Sequence, residues 1–178
     1  ARIYINSMKG LNKDYIDFIT SQVIKLKGER VYRYTRDRIL WHHKQNHLVF
    51  FISGAPNFLL SKMAEKYNVK YFKGTEYFLD ENNNFTGEID KMWDSASKNQ
   101  AIQNFMVEYD IDMERSFAYG DTHGDLDMLK IVGHPVAINP VGKLVNHIKK
   151  DEELKRKITL IVERKDVIYQ IPTDAPIL

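Results

Sequence analysis

A chain of 178 residues, 43% hydrophobic and 12% aromatic, can bury a real core as one domain and lacks the composition of a disordered or repetitive segment. Its 26 basic and 24 acidic residues leave a net charge of +2, too small to argue for nucleic acid or an anionic membrane surface as a partner. Cysteine is absent, which removes disulfide and thiol chemistry and agrees with a cytoplasmic location; the longest apolar runs, such as Leu48 to Ile52, are too short to span a bilayer.

In chain order, residues 11–27 place Leu11, Tyr15, Phe18, Ile19 and Leu26 close to helical spacing, with Gly28 as a stop. A second helix is predicted over 33–46, then LVFFIS (48–53), a continuous apolar run of the kind a parallel strand buried on both faces requires. NFLLSKMAEKYNV (57–69) reads as a helix and VKYFKGT (69–75) as a strand. Residues 77–89 read as a hairpin with its turn in Glu81 to Asn84. A helix over 97–109, a strand SFAYGD, a short helix 126–132 and the strands VAIN (136–139) and ITLIVE (158–163) complete the pattern. The run HIKKDEELKRK (147–157) mixes both signs of charge and reads as a solvated helix face. Strands alternating with helices predict an α/β fold around a parallel sheet, with the ligand beyond the carboxyl ends of the strands.

That rule singles out three stations. Ser53 and Gly54 end the first buried strand, where a hydroxyl and an unencumbered amide can grip a phosphate oxygen; a serine capping a tight turn is the plainer alternative. In GDTHGD, Asp121 and Asp125 have the spacing for a hard divalent cation such as magnesium, Asp121 as direct ligand and Asp125 as second, whereas Asp127 reads as a cap of the next helix. Lys98 lies in the first turn of a helix, where a cation opposes the helix dipole and so invites a functional role. His42, His43 and His47 cluster, but no carboxylate or cysteine completes a zinc set nearby, so they read as a polar helix end. His123 reads as a solvent-exposed loop residue.

Together FFISGAP, Lys98, the strand ending GDTHGD and GHPVAINP (133–140) resemble motifs two to four of the haloacid dehalogenase superfamily, nearest its phosphoserine phosphatase-like branch, over about residues 30 to 145. The resemblance implies a Rossmann-like core with a parallel sheet, a helical cap and a magnesium-dependent phosphohydrolase acting on a small phosphorylated metabolite. It implies that Ser53 and the Gly54 amide bind phosphoryl oxygens. Lys98 would neutralise charge on nucleophile and phosphate as both catalytic and phosphate-binding residue, and Asp121 would ligate Mg2+ with Asp125 behind it. Residues 1–30 would be the tail of the cap and 31–178 the core.

One motif of that family, a strand ending Asp-x-Asp-x-[Thr/Val] that carries the nucleophile, does not occur in the chain. Asp110-Ile111-Asp112 imitates its spacing but follows the helix NFMVEY and reads as a polar connection. The family places the missing strand between those of motifs two and four, so its absence would leave two unpaired strand edges. The chain opens Ala-Arg-Ile-Tyr without an initiator Met, and the expectation is that the nucleophile segment lies upstream or comes from a separate piece of chain. Gly124 stands where phosphoserine phosphatases commonly have Asn, which puts phosphoserine in doubt as the substrate. Two other readings use the same residues: a phosphotransferase, and a catalytically inactive domain that binds a phospholigand or a partner.

Overall fold

The structure, a computed structural model, describes residues 2–176. The chain divides into two compact units, with the boundary in the sequence between Asp94 and Ser95.

In the first unit, helices α1 (Arg2–Met8), α2 (Lys13–Lys27) and α3 (Arg33–Lys44) precede β1 (Phe50–Pro56), α4 (Asn57–Lys66), β2 (Tyr71–Leu79) and β3 (Phe85–Asp90). The start of α2 is fixed by Asn12, whose side-chain oxygen accepts the Asp14 amide at 3.0 Å. The sheet order is β1-β2-β3, parallel between β1 and β2 and antiparallel in the β2–β3 hairpin. The hairpin turn falls where the sequence puts it, because Asp80 Oδ1 accepts the amides of Asn82 and Asn84, both at 2.9 Å, and Asn83 adopts a φ of 64°. Met8, Ile16, Tyr77 and Phe85 form the apolar cluster of this unit, with Phe58 from α4 packed against it.

One expectation is corrected here. The LVFFIS run forms β1, but every residue from Phe50 to Pro56 is only half-buried. The physical reason is position: among the described residues β1 pairs with β2 alone and stands at the edge of its sheet. A strand with one neighbour cannot be enclosed on all sides.

The second unit opens with α5 (Ser95–Tyr109) and continues through β4 (Phe117–Gly120), a 3₁₀ turn (His123–Asp125), α6 (Leu126–Ile131) and β5 (His134–Ile138). It closes with α7 (Gly142–Lys150), α8 (Glu152–Lys157), β6 (Thr159–Arg164) and β7 (Val167–Ile171). The sheet order is β4-β5-β6-β7; the first three strands are parallel and β7 returns antiparallel to β6. Parallel strands separated by helices on the apolar cluster of Ala118, Leu129, Ala137, Leu144, Ile148 and Leu160 make this a mixed α/β, Rossmann-like arrangement.

Strand β7 is absent from the sequence reading, since four of its five residues are exposed and give no buried pattern. The run 147–157 is not one solvated face. Asp151 accepts the Leu154 amide at 3.0 Å and starts a separate helix, α8, while Ile148 and Leu154 are buried in the core.

Gly133 shows how tightly this unit is closed. An added Cβ would lie 1.7 Å from the Glu114 carbonyl oxygen, and the Gly133 amide donates to Met113 at 2.9 Å. Gly133→Ala is therefore expected to lower stability by about 1–3 kcal/mol, through the overpacking cost of moving backbone, read as a lower urea midpoint.

Candidate active site

The second unit builds one station around a buried carboxylate. Strand β4 ends at Gly120, and the chain turns through Asp121 and Thr122 into the 3₁₀ turn that carries Asp125. Asp125 is 6% exposed. Its Oδ2 accepts the Thr122 hydroxyl at 2.9 Å and the amides of Thr122 and Asp121 at 3.0 and 3.2 Å. Its Oδ1 accepts Lys98 Nζ at 2.6 Å. Gly120 makes this folding back possible, because a Cβ there would lie 2.5 Å from Asp125 Cβ. The loop is also anchored from outside by the Val141 amide, which donates to the Asp121 carbonyl at 2.9 Å.

Electrostatics divides the two aspartates. Burial pushes the Asp125 carboxyl up, but the Lys98 ammonium and the Thr122 donors outweigh it and hold the group below the ordinary carboxylate value. Asp121 is exposed, yet desolvation by the loop around it, followed by the Asp125 charge, pushes its carboxyl up despite Lys98. A carboxylate disfavoured as a bare anion beside a second carboxylate is suited to a cation. Among the described residues there is no cluster of three or more His, Cys, Asp or Glu able to hold a metal alone. Magnesium takes as few as one carboxylate and completes its shell with water and substrate oxygens, and the exposed Asp121 fits that role, whereas both oxygens of Asp125 already accept hydrogen bonds. Asp127, predicted as a helix cap, instead accepts Asn99 Nδ2 at 2.9 Å, and Asp125 occupies the position before α6.

The other station lies in the first unit. Strand β1 does not stop at Ser53 but runs on to Pro56 with an irregular register after Ile52. Ser53 Oγ accepts the Ala55 amide at 3.1 Å, which leaves its own proton able to donate. Three residues that the sequence does not single out hold this turn. Thr75, fully buried, donates to the Gly54 carbonyl at 3.0 Å and accepts the Met92 amide at 3.2 Å. Asn57 accepts the Gly74 amide at 3.1 Å and donates to Glu76 at 2.8 Å. Trp93 lies so close that a Cβ on Gly54 would be 2.9 Å from its own Cβ. The absence of a side chain at Gly54 thus has a packing reason as well as the binding one read from sequence. Asn57, directly after a proline and opening a helix, is a signal that could have been found; Thr75 is an ordinary strand residue by pattern.

Of the clustered histidines His42 turns inward. His42 is buried, and burial, with Arg38 and His47 nearby, lowers its pKa to about 4. Its Nδ1 lies 2.9 Å from His47 Nδ1, and His43 Nε2 lies 3.0 Å from the Tyr67 carbonyl. The helix end is polar and exposed from Lys44 to His47, as the sequence suggests, with His42 alone buried and His43 half-buried. His123, expected in solvent, is half-buried with a sealed Nδ1, its ring 5.4 Å from that of His147. No helix among the described residues is long and apolar enough to cross a membrane.

Comparison with known proteins agrees with this fold. The family model for haloacid dehalogenase-like hydrolases matches residues 1–130, and the chain belongs to that family. It is 25% identical over 141 residues to the inhibition of morphological differentiation protein of Streptomyces azureus, a match covering 78% of this chain and 51% of that protein. It is 26% identical to the phosphoserine phosphatase SerB1 of Mycobacterium tuberculosis, over 66% of this chain and 38% of that one. The chain thus spans about half the length or less of these curated relatives. Among solved structures, a Bordetella pertussis protein of unknown function superposes with a TM-score of 0.73 at 14% identity, over 84% of this chain and 69% of that one. A substrate-bound phosphoserine phosphatase does so at 0.63 and 18%, over 82% and 66%. These likenesses establish a shared fold.

The Asp125 carboxyl is more acidic folded than unfolded, so its contribution to stability is complete above the ordinary carboxylate value, near pH 4, and is lost as pH falls through the folded value. Asp125→Asn, which leaves the half-buried Lys98 without its charged partner, is expected to cost roughly 2–3 kcal/mol at pH 7. In urea titrations from pH 7 to pH 3 its deficit should narrow below about pH 4.

Proposed function

We propose that this protein is a magnesium-dependent phosphohydrolase of small phosphate monoesters, working through an aspartyl-phosphate whose carboxylate lies outside residues 1–178. The observation that carries this reading is an exposed, anion-disfavouring Asp121 on the same loop as a buried Asp125 that is hydrogen-bonded through both oxygens and paired with Lys98 of α5. In this reading Ser53 Oγ and the Gly54 amide bind phosphoryl oxygens, and Lys98 neutralises charge on phosphate and nucleophile. Asp121 ligates the magnesium and Asp125 stands behind it, fixing the loop. Bound magnesium would supply the positive charge that phosphoryl oxygens need as the ester bond breaks. The nucleophilic carboxylate forms a bond to phosphorus as the ester phosphorus–oxygen bond breaks and the departing alkoxide takes a proton from water; a second water then attacks phosphorus, breaks its bond to the carboxylate, gives its proton to the hydroxide left behind and releases inorganic phosphate. Residues 1–30 are assigned to the cap and 31–178 to the core.

Asp110 and Asp112 do not supply the nucleophile in this account. Asp110 follows α5 with a φ of 49°, and Asp112 accepts the Arg115 amide and guanidinium at 3.2 and 2.8 Å. The names of SerB1 and of the substrate-bound neighbour support a phosphate monoester, while Gly124 in place of Asn argues for an alcohol other than serine. A small phosphorylated metabolite in the cytoplasm is the substrate class that fits. An inactive binding domain has no need for a carboxylate kept exposed beside a buried ion pair; transfer to an alcohol in place of water uses the same groups.

Asp121→Asn in the complete protein is expected to lower magnesium-dependent phosphate release by roughly 10²-fold or more in kcat/KM. Full turnover in that variant would overturn the assignment.

A further inference from the structure

Ser53 and Gly54 account for the phosphate, but nothing so far accounts for the other half of an ester. The first unit offers one feature at that place. Trp93 follows β3, and its Cβ and Cα crowd the bare face of Gly54, at 2.9 and 3.2 Å from where a Cβ would stand. The approach is held from the same segment, because Met92 is buried and its amide donates to Thr75 Oγ1, the hydroxyl that also donates to the Gly54 carbonyl. The backbone of Trp93 is thereby pinned to the turn through two hydrogen bonds of one buried threonine. Yet Trp93 remains 39% exposed. An indole is costly to leave in water, and a large one fixed at the rim of a binding turn and still exposed has apolar surface to offer a ligand.

We propose that Trp93 is a specificity-determining residue: its backbone and Cβ flank the Ser53–Gly54 turn, and its exposed indole packs on the alcohol portion of the phosphate ester, favouring leaving groups with a flat, apolar face such as a phenol or a ring-bearing alcohol. The inference rests on the reading of Ser53 and Gly54 as the phosphate site. The physical basis is that ring stacking and apolar contact reward a planar group, whereas a small polar alcohol loses hydration against an indole and gains little. Gly54 contributes by letting the tryptophan backbone approach; any side chain there would displace it. Sequence alone conceals this, since Trp93 lies 39 positions after Gly54 and belongs to no motif.

The test uses the complete protein and two probes, phenyl phosphate and glycerol phosphate. In Trp93→Leu, which keeps apolar bulk but removes the flat face, the ratio of kcat/KM for phenyl over glycerol phosphate is expected to fall roughly tenfold from the wild-type ratio, and Trp93→Phe should restore most of it. An unchanged ratio in Trp93→Leu would overturn the proposal. A second measurement does not depend on turnover. In the complete protein phenylphosphonate should change tryptophan emission at concentrations where methylphosphonate does not, and Trp93→Phe should abolish that difference; equal responses to the two phosphonates, or a difference that survives Trp93→Phe, count against it. If the wild type hydrolyses neither ester, the proposed function is what fails, and the emission titration still decides on Trp93.

Discussion

The buried ion pair between Lys98 and Asp125 is the constraint on which the second unit's functional loop depends. Two opposite charges leave water together only if every remaining hydrogen-bonding valence is met. Asp125 meets that condition by collecting Thr122 twice and the Asp121 amide on one oxygen and Lys98 on the other. The consequence is geometric: helix α5, the end of β4 and the 3₁₀ turn are tied at one point, and the backbone of Asp121 is placed by the side chain of Asp125. Asp125 therefore acts on Asp121 in two ways, by fixing its backbone amide and by adding its charge to the desolvation that raises the free energy of the ionised Asp121 carboxylate, against the opposing pull of Lys98.

The first unit solves a related problem with neutral groups. Thr75, Asn57 and the bare faces of Gly54 and Gly74 allow the irregular end of β1 to satisfy its backbone within the protein. Such a turn can present a serine hydroxyl without ordering it anew at each binding event, which is the condition for holding charge that develops on a phosphoryl group. Both units thus place their candidate residues just past the carboxyl end of a parallel strand or in its final residues, where side chains escape the ladder.

Membership of the haloacid dehalogenase-like hydrolases explains why these features occur in one chain, and the finer chemistry is a matter of which groups each loop exposes. Folds of this class host many substrates, so discrimination has to come from residues outside the shared motifs. Trp93 is such a residue by position: it is adjacent to a motif in space and remote from it in sequence.

The motif residues were legible in the sequence because short apolar strands followed by Gly-Asp or Ser-Gly are local patterns, and the spacing of Asp121 and Asp125 survives translation into a single loop. The hairpin turn was equally local, since Asp80 and the asparagines after it make their own bonds. What the tertiary structure alone decided are the relations between distant positions. Burial of β1 depends on how many neighbours the strand has, so an apolar run predicts enclosure that an edge position denies. The exposed residues of β7 carry no periodic signal, and only pairing with β6 reveals the strand. That Asp125 pairs with Lys98, that His42 is buried, and which side chain leans on Gly54 are set by contacts between separate elements of the chain, and hydrogen bonds and burial of that kind leave no mark in the local order of amino acids.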